Sequence, residues 1–439
     1  MTRPLSAVPQ YNFRLPLTRP VIVPKGRTIR LEIRGLTDRS LWVDGGDARL
    51  RSCKFNESAG GNEAMVSKSG LAASIGKYGL EVGTPGIKSV GPLAFGPEGI
   101  LFLADNMEAT IFAIAVGDSD EANEQHSINV ENLDTPLAAY LGCSRDDIFI
   151  RDMTVHPSSQ NVYLSVMRGS GDAAVPALIK VGADGTISEV TLEDVPFSQT
   201  LIEDAPAEDD ARLEPRLVQG NREGEVMTRG DVSFRLTRET LRTVTVTDME
   251  YVDGQLLVAG ASNEEFSSTF RRIPFPFNGN AQTNSLEIFH VSHGKYETAS
   301  PIRTFVPYGD NTSILASYTC TPVVRFSLDD LKSGTQVKGK TVAELGWGNT
   351  PLGMVSYVRD GEEYLLVSNA RHPLMKIACK DIDRQGPLTQ PTEPVGAPRQ
   401  ELPHQGVGLM AKLNGSHVLM LQEDDAGNIH IRSYDTETL

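Results

Sequence analysis

The feature that most constrains this fold is a weak internal repeat, which occurs in five clear copies. Each copy begins with a short apolar strand, makes a tight turn, continues into a second apolar strand, crosses a polar loop and ends in a third strand of alternating charge. Gly or Asp-Gly at the turns supplies the positive φ that a hairpin needs. Such a repeat indicates sheets that bury their faces against neighbouring copies.

The copies predict strand positions. Successive turns lie roughly 50 to 60 residues apart, the size of one four-stranded unit with a generous loop. Only one interval is longer, and its surplus coincides with an acidic stretch at residues 203–239, which we expect to be an inserted loop or small subdomain. The predicted strands, copy by copy, are 91–95, 100–104 and 110–115; 152–156, 162–166 and 177–181; 248–251, 256–259 and 269–273; two further copies turn at 359–361 and 413–415, and a degenerate copy spans 303–326.

These observations predict an all-β chain folded as a β-propeller of six or seven four-stranded blades. A chain of 439 residues exceeds the usual size of one core, and a ring of blades divides that core among its units. We expect the propeller over residues 76–439, with an insertion at about 199–240. Residues 1–75 are predicted to form a β segment that is an extra blade, a closing strand or a small sandwich.

Closure of the ring is the sharpest of these predictions. The last blade offers three strands, at 407–412, 418–421 and 429–433, and no clear fourth. Because a propeller must not leave a sheet edge open, its outer strand should come from another part of the chain. The alternating segment Thr28–Ile33 is the predicted source. One short helix is predicted at 135–141, with Pro136 in its first turn.

Charge and composition exclude several classes of partner. The chain carries 41 Lys and Arg against 57 Asp and Glu, a net charge of −16, which opposes binding to nucleic acid. No apolar run reaches the ~18 residues that a membrane span needs, so no membrane insertion is expected. The first six residues lack the apolar core of a secretory signal, which fits a cytoplasmic chain or an exported one without its signal. The four cysteines form no CxxC pair.

The loops after the second strands suggest a site. In a meander these loops share one face, and here they carry carboxylates, amides and Arg371. An oxygen-rich ring suits Ca²⁺ or another hard divalent cation, although Asn and Asp also cap turns in loops that bind nothing. The predicted oxygen ligands are Asp105, Asn106, Asp248, Asn263, Glu264 and Asn369.

A second candidate metal site is the segment His290–Glu297. Both His290 and His293 could bind one metal only if the strand ends between them and the chain turns, which Gly294 permits. Hydrogen-bonded or surface histidines are the alternative. Cys320 lies in one of the polar loops that follow the second strands, where it could be a nucleophile or a metal ligand.

Residues 90–105 (VGPLAFGPEGILFLAD) resemble the blades of NHL and YVTN-type propellers. Residues 78–435 more closely resemble a family of bacterial propellers that are often exported and have no established activity. The segments that carry this resemblance are GASNEEF (260–266), EIFHVSHGKYET (287–298), ASYTCTPVVRF (316–326) and VAELGWGNTPLGM (342–354). A looser likeness to calcium-dependent propeller lactonases implies a cation in the channel, and one to the propeller subunits of amine dehydrogenases implies a scaffold.

Two functions remain open from the sequence. The first is a metal-supported hydrolase or lyase on a small polar substrate, in which the cation polarises a carbonyl. Glu264 or Glu265 would then be the base, and Arg371 would bind a substrate carboxylate. The second is a non-catalytic propeller that binds a protein partner, with the insertion as its binding arm.

Overall fold

The computed structural model describes residues 28–32, 40–44, 75–118, 127–220, 223–229, 232–320, 322–346, 348–391 and 395–439. The chain divides into two compact units, Met1–Ala64 and Met65–Leu439. In the first unit the described residues form one antiparallel hairpin of β1 (Thr28–Glu32) and β2 (Ser40–Asp44). The other residues of the predicted β segment 1–75 lie outside the described part of the chain, except for residue 75.

Among the described residues of the second unit there are seven sheets, and six of them are each built around three antiparallel strands of one sequence repeat. We number these six as blades 1 to 6. The first three blades contain the following strands. Blade 1 has β3 (Glu81–Gly83), β4 (Leu93–Phe95), β5 (Ile100–Asp105), β6 (Thr110–Ala115) and β12 (Val195–Leu201). Blade 2 has β8 (Ile148–Val155), β9 (Val162–Arg168), β10 (Val175–Val181) and β11 (Ile187–Glu189). Blade 3 has β16 (Asp248–Val252), β17 (Gln255–Ala261), β18 (Ser268–Pro274), β19 (Gln282–His290) and β20 (Lys295–Glu297), with β24 (Gln336–Lys338) parallel to β19.

The other three blades follow the same plan. Blade 4 has β21 (Thr304–Tyr308), β22 (Ser313–Ser317), β23 (Pro322–Ser327), β25 (Lys340–Glu344) and β29 (Val395–Gly396). Blade 5 has β26 (Pro351–Arg359), β27 (Glu362–Asn369), β28 (Leu374–Ala378) and β30 (Arg399–Leu402). Blade 6 has β31 (Val407–Lys412), β32 (His417–Glu423), β33 (Ile429–Asp435) and β7 (Asn129–Val130).

Six buried apolar clusters hold the blades together, and each lies between two neighbours. Phe102 and Leu256, for example, share the core between blades 1 and 3, and Leu164 and Leu419 share that between blades 2 and 6. The innermost strands contact one another in a closed ring, β4, β16, β21, β26, β31, β8 and back to β4. The predicted all-β propeller is therefore confirmed, with six blades.

The order of blades around the ring differs from their order in the chain. Blade 1 lies between blades 2 and 3, and blade 2 also contacts blade 6. After blade 2 the chain returns to blade 1 to add β12, which pairs with β6 through residues 197–201. This return accounts for part of the one long interval between repeats. The sequence analysis attributes the whole surplus length of that interval to an insertion.

The closing strand comes from a different segment than predicted. β33 pairs with β7, Ile431 opposite Val130, and the Ser433 N–H donates to the Ile128 carbonyl. Thr28–Glu32 pairs with β2 instead. The prediction that Thr28–Ile33 supplies the outer strand is thus wrong, because the chain between blades 1 and 2 already occupies that edge. The predicted helix is present as α1 (Asp134–Leu141), directly after this strand; a second, α2, spans Cys379–Arg384.

Residues within the predicted insertion form a three-stranded antiparallel sheet, here called the roof sheet: β13 (Leu213–Val218), β14 (Glu225–Arg229) and β15 (Val232–Thr240), in the order β13, β15, β14. It contacts several blades on the face where their second strands end. The Leu217 N–H donates a hydrogen bond to Thr350, the residue before the first strand of blade 5. Glu214 accepts one from Arg303, the residue before the first strand of blade 4. The mouth predicted to be an open polar ring is therefore covered. Among the described residues, no helix is long and apolar enough to cross a bilayer.

Candidate functional site

The central channel is a cavity of about 1780 Å³, lined by the innermost strands of all six blades and by the roof sheet. Its wall extends from roof residues such as Arg216 and Glu239 to the tight turns of the opposite face, at Pro157 and Asn414. Ligand pockets in proteins are typically ~300–1,000 Å³, so this channel has room for a small molecule and water.

Three carboxyl groups from two inner strands line this cavity: Asp152 of β8, and Asp248 and Glu250 of β16. Two of them link neighbouring blades. Asp152 accepts hydrogen bonds from the N–H groups of Leu93 and Met153, both 2.7 Å long. Asp248 accepts from Phe305 and Met249, both at 2.8 Å. Each aspartate thus holds the innermost strand of the adjacent blade.

Glu250 differs from the two aspartates. Among the described residues no group donates a hydrogen bond to its carboxyl or forms an ion pair with it, although it lies in the cavity wall. Burial, with smaller contributions from the charges of Asp248 and Asp152, raises the pKa of Glu250 to about 8. Burial likewise raises the pKa of Asp152 to about 7 and that of Asp248 to about 6. At neutral pH Glu250 is therefore mainly a neutral acid that can donate a proton or a hydrogen bond.

The roof contributes charges of both signs. Arg216 contacts Glu239 at 3.0 Å and Glu223 at 3.6 Å, Arg303 contacts Glu239 at 3.0 Å and Glu214 at 3.3 Å, and Arg151 contacts Glu223 at 2.6 Å. Three guanidinium groups thus balance three carboxylates in this network. Below the roof, the acids of the inner strands are Asp152, Asp248 and Glu250.

Three of the predicted calcium ligands already have hydrogen-bond partners within the loops. Asp105 accepts from the N–H groups of Lys88, Met107 and Glu108 and from the Ser89 hydroxyl, so it caps its own loop. Asn106 bonds to the backbone of Val246, and Asn369 bonds to Asn349 and to the carbonyls of Val367 and Pro373. The alternative interpretation, in which these side chains cap turns, accounts for these three contacts.

The predicted catalytic residues lie away from the channel wall. Asn263, Glu264 and Glu265 are exposed on one loop, whose Asn263 and Glu264 carbonyls accept from Arg212. Arg371 donates to the Gly348 carbonyl at 2.6 Å and stacks over a roof phenylalanine. Of the predicted site residues, Asn106 and Asp248 line the cavity, and the others lie outside its wall.

The two predicted histidine ligands do come together. The strand β19 ends at His290, and the chain turns at Gly294 with φ +65°. One ring nitrogen of each histidine and the Cys320 sulfur lie within 4.8 Å of one another. In the described part of the chain this is the only such group of three His, Cys, Asp or Glu residues. It is not part of the channel wall.

Sequence reasoning did not single out Glu250. The available signal was an acid two residues after Asp248 on a strand whose intervening residue, Met249, is buried in an interblade core. Period-two alternation places positions 248 and 250 on one side of that strand. The depth of the channel, which sets the pKa of Glu250, arises only from the closed ring.

Comparisons with known proteins found similar chains only among solved structures. No protein-family model matches the chain, and no curated protein matches it. Similar solved structures include a streptogramin B lyase (9% identity over 81% of this chain and 97% of that chain, TM-score 0.33) and the WD40 repeats of RRP9 (9%, 81% and 97%, 0.34). Another is a PQQ-bound aldose sugar dehydrogenase from Streptomyces coelicolor (11%, 81% and 96%, 0.30). The propeller fold itself is established by the closed ring of six blades in the structure.

Proposed function

We propose that this propeller binds a small organic cation in its roofed channel and exchanges a proton with it at Glu250. The observation that carries the proposal is the contrast among the three channel carboxyls. Asp152 and Asp248 each accept two backbone N–H bonds, whereas Glu250 accepts none from the described residues. Glu250 is therefore the acid that remains available to a ligand.

Charge favours a cation over an anion. The roof network is balanced, and the charges that shift the pKa of Glu250 are those of Asp248 and Asp152, so the field at Glu250 is negative. Three other cationic side chains line the wall, Lys88, Arg238 of the roof and Lys412 at the opposite end, and so does one further acid, Glu423. None of these four is a cause of the shifted pKa of Glu250. An amine that reached Glu250 would stabilise its carboxylate form and release its proton.

The route of entry follows from the roof. Ion pairs join the roof sheet to blades 2 and 4, whereas the opposite end of the wall consists of tight turns. We therefore expect the ligand to enter between the turns at residues 155–157 and 413–415. This arrangement lets the channel exclude bulk water from Glu250 on the roof side, which strengthens electrostatic interactions there.

The predicted hydrolase or lyase class fits this site with different residues. A carboxylic acid with a pKa of about 8 is a suitable general acid near neutral pH. Asp248, with a pKa of about 6, is mainly ionised at the same pH and lies two residues away on the same strand. Pairs of carboxyls whose pKa values are separated by their environment are typical of acid–base sites. In this proposal a proton from Glu250 activates the substrate, whereas the sequence-based hypothesis used a metal ion that polarises a carbonyl.

The test compares amines with uncharged analogues. Calorimetry at pH 7 with spermidine, choline and agmatine, and with polyols of matching size, should detect binding of at least one amine and of no polyol. Repeating the titration in buffers of different ionisation enthalpy should show proton release. Glu250→Gln should weaken amine binding about 10-fold or more, the loss expected for one buried charge-assisted contact.

Glu265→Gln is the matched control, because Glu265 is exposed outside the channel. It should leave amine binding unchanged. Amine binding that is equal in wild type and Glu250→Gln would overturn the proposal, and so would binding of polyols alone.

Binding of a protein partner is a second candidate, favoured by the roof sheet. Its strand β14 is an edge strand, and there Val226 is 61% exposed and Met227 37% exposed. Unpaired strand edges with exposed apolar side chains are sites for strand addition by a partner. A partner that co-purifies with the wild type should be lost from Val226→Lys, while amine binding in the channel persists. Co-purification that is unchanged in Val226→Lys would contradict this role.

A further inference from the structure

A cluster of metal-binding side chains lies between blades 3 and 4, apart from the channel. His290 ends β19 in blade 3, His293 follows in the turn, and Cys320 occupies the turn between β22 and β23 in blade 4. The two imidazole rings are 3.9 Å apart between centroids. Polar side chains from two blades thus meet at one point. The apolar core between these blades would pack without them.

Glu297 orients both rings. Its two carboxylate oxygens each bond to an Nδ1 atom, of His290 and of His293, both at 2.7 Å. A carboxylate that accepts an imidazole N–H fixes the ring and leaves the Nε2 lone pair for a ligand. This is the common arrangement behind metal-bound histidines. One glutamate here performs that role for two histidines at once.

The environment of the His290 Nε2 atom is a second, independent indication of a metal site. His290 is only 3% exposed, and its Nε2 has no hydrogen-bond partner among the described residues. The nearest charged atom is an oxygen of the buried Glu344, 4.0 Å away. A buried nitrogen without a hydrogen-bond partner destabilises the folded protein, and a bound metal would remove that cost.

We propose that His290, His293 and Cys320 bind one zinc-class divalent ion that cross-links blade 3 to blade 4. Two imidazoles and a thiolate are the soft and borderline ligands that Zn²⁺ and Co²⁺ prefer, and their chemistry does not suit Ca²⁺. Binding requires that Cys320 lose its thiol proton to solvent. The fourth position belongs to water or to Glu344. Because the side chain of His293 is 45% exposed, the ion has a path from solvent.

The experiment titrates Co²⁺ into full-length protein that has been dialysed against chelator. We expect one Co²⁺ per chain, with the thiolate-to-cobalt charge-transfer band of a cysteine ligand and the visible bands of a four-coordinate ion. Zn²⁺ should displace it and raise the melting temperature. Cys320→Ser should abolish the charge-transfer band, and Glu297→Gln should weaken Co²⁺ binding about 10- to 100-fold.

Cys143→Ser is the matched control, a half-buried cysteine in the core between blades 2 and 6. It should retain the band and the affinity. If Cys320→Ser does not fold, His293→Asn provides the same test at a half-exposed position, with loss of affinity expected. Failure of the wild type to bind stoichiometric Co²⁺ or Zn²⁺, or an unchanged spectrum in Cys320→Ser, would overturn the proposal. Neither outcome affects the amine titrations, which depend on Glu250.

Discussion

Two glutamates in the wall of the same channel have opposite acid–base properties. Glu239 belongs to the roof sheet, and Glu250 to the inner strand of blade 3. Burial acts to raise the pKa of both. At Glu239 the charges of Arg216 and Arg303 outweigh burial and lower its pKa, whereas at Glu250 the neighbouring charges are Asp248 and Asp152, which raise it further.

The comparison separates a structural region from a reactive one. The roof pairs each carboxylate with a guanidinium, so its charges hold the insertion on the blades. The three carboxyls of the inner strands below it have raised pKa values, and Glu250, with the highest, keeps its proton at neutral pH. Buried charge is therefore stabilising in the first region and destabilising in the second, and substitutions should change stability in opposite directions.

The largest effect should follow loss of Arg303, whose side chain is 5% exposed and contacts both Glu214 and Glu239. Arg303→Met leaves two buried carboxylates with fewer cations, which typically costs about 3–5 kcal/mol of unfolding free energy. Urea denaturation at pH 7.5 measures it. The control Lys380→Met removes an exposed partner of Glu362 and should change the free energy of unfolding far less. Equal costs for the two variants would mean that the roof network contributes no more than a surface pair.

Glu239→Gln should cost less, about 2 kcal/mol at pH 7.5, because it weakens two ion pairs but leaves no buried anion. A carboxyl whose pKa is lowered on folding stabilises the protein above its unfolded pKa, and this contribution is lost as the pH falls through the folded pKa. The deficit of the variant should therefore shrink toward pH 3. A deficit that is constant from pH 3 to pH 8 would show that lost packing, not charge, is responsible.

Glu250→Gln should have the opposite sign. The folded pKa of about 8 exceeds the ordinary 4.5, so the folded state binds the proton more tightly. Wild-type stability from this group is full below pH 4.5 and falls as the pH rises to about 8. Glutamine mimics the neutral acid, so the variant should gain on the order of 1–3 kcal/mol relative to wild type at pH 8.5 and little at pH 5. Melting curves across this range measure the difference, and a variant that is less stable at pH 8.5 would refute the assignment.

The sequence predicts a strand or a site residue where neighbouring residues in the chain decide its structure, and fails where contacts distant in sequence decide it. The third strand of blade 1 was predicted at 110–115 and is found there, because alternation and turn residues fix a strand locally. The strand β7, Asn129–Val130, has two residues and no pattern of its own; only its pairing with β33 defines it. The pKa of Glu250 likewise depends on blades that are distant in sequence. The histidine pair was visible as spacing, whereas Cys320 joins it only through the contact between blades.

The smallest effect should follow removal of residues 1–64. The sequence suggested that Thr28–Ile33 closes the ring, which would make this truncation disruptive. Because Asn129–Val130 occupies that edge, we expect the truncated chain to remain monomeric, with a melting temperature within a few degrees of the full chain.

Val130→Pro in the full chain is the matched disruption, because proline removes a ladder N–H opposite Ile431. It should lower the melting temperature clearly and promote association through the open edge. Light scattering and thermal melting of the two proteins test both expectations. Aggregation of the truncated chain together with an unaffected Val130→Pro variant would return the closing role to the N-terminal segment.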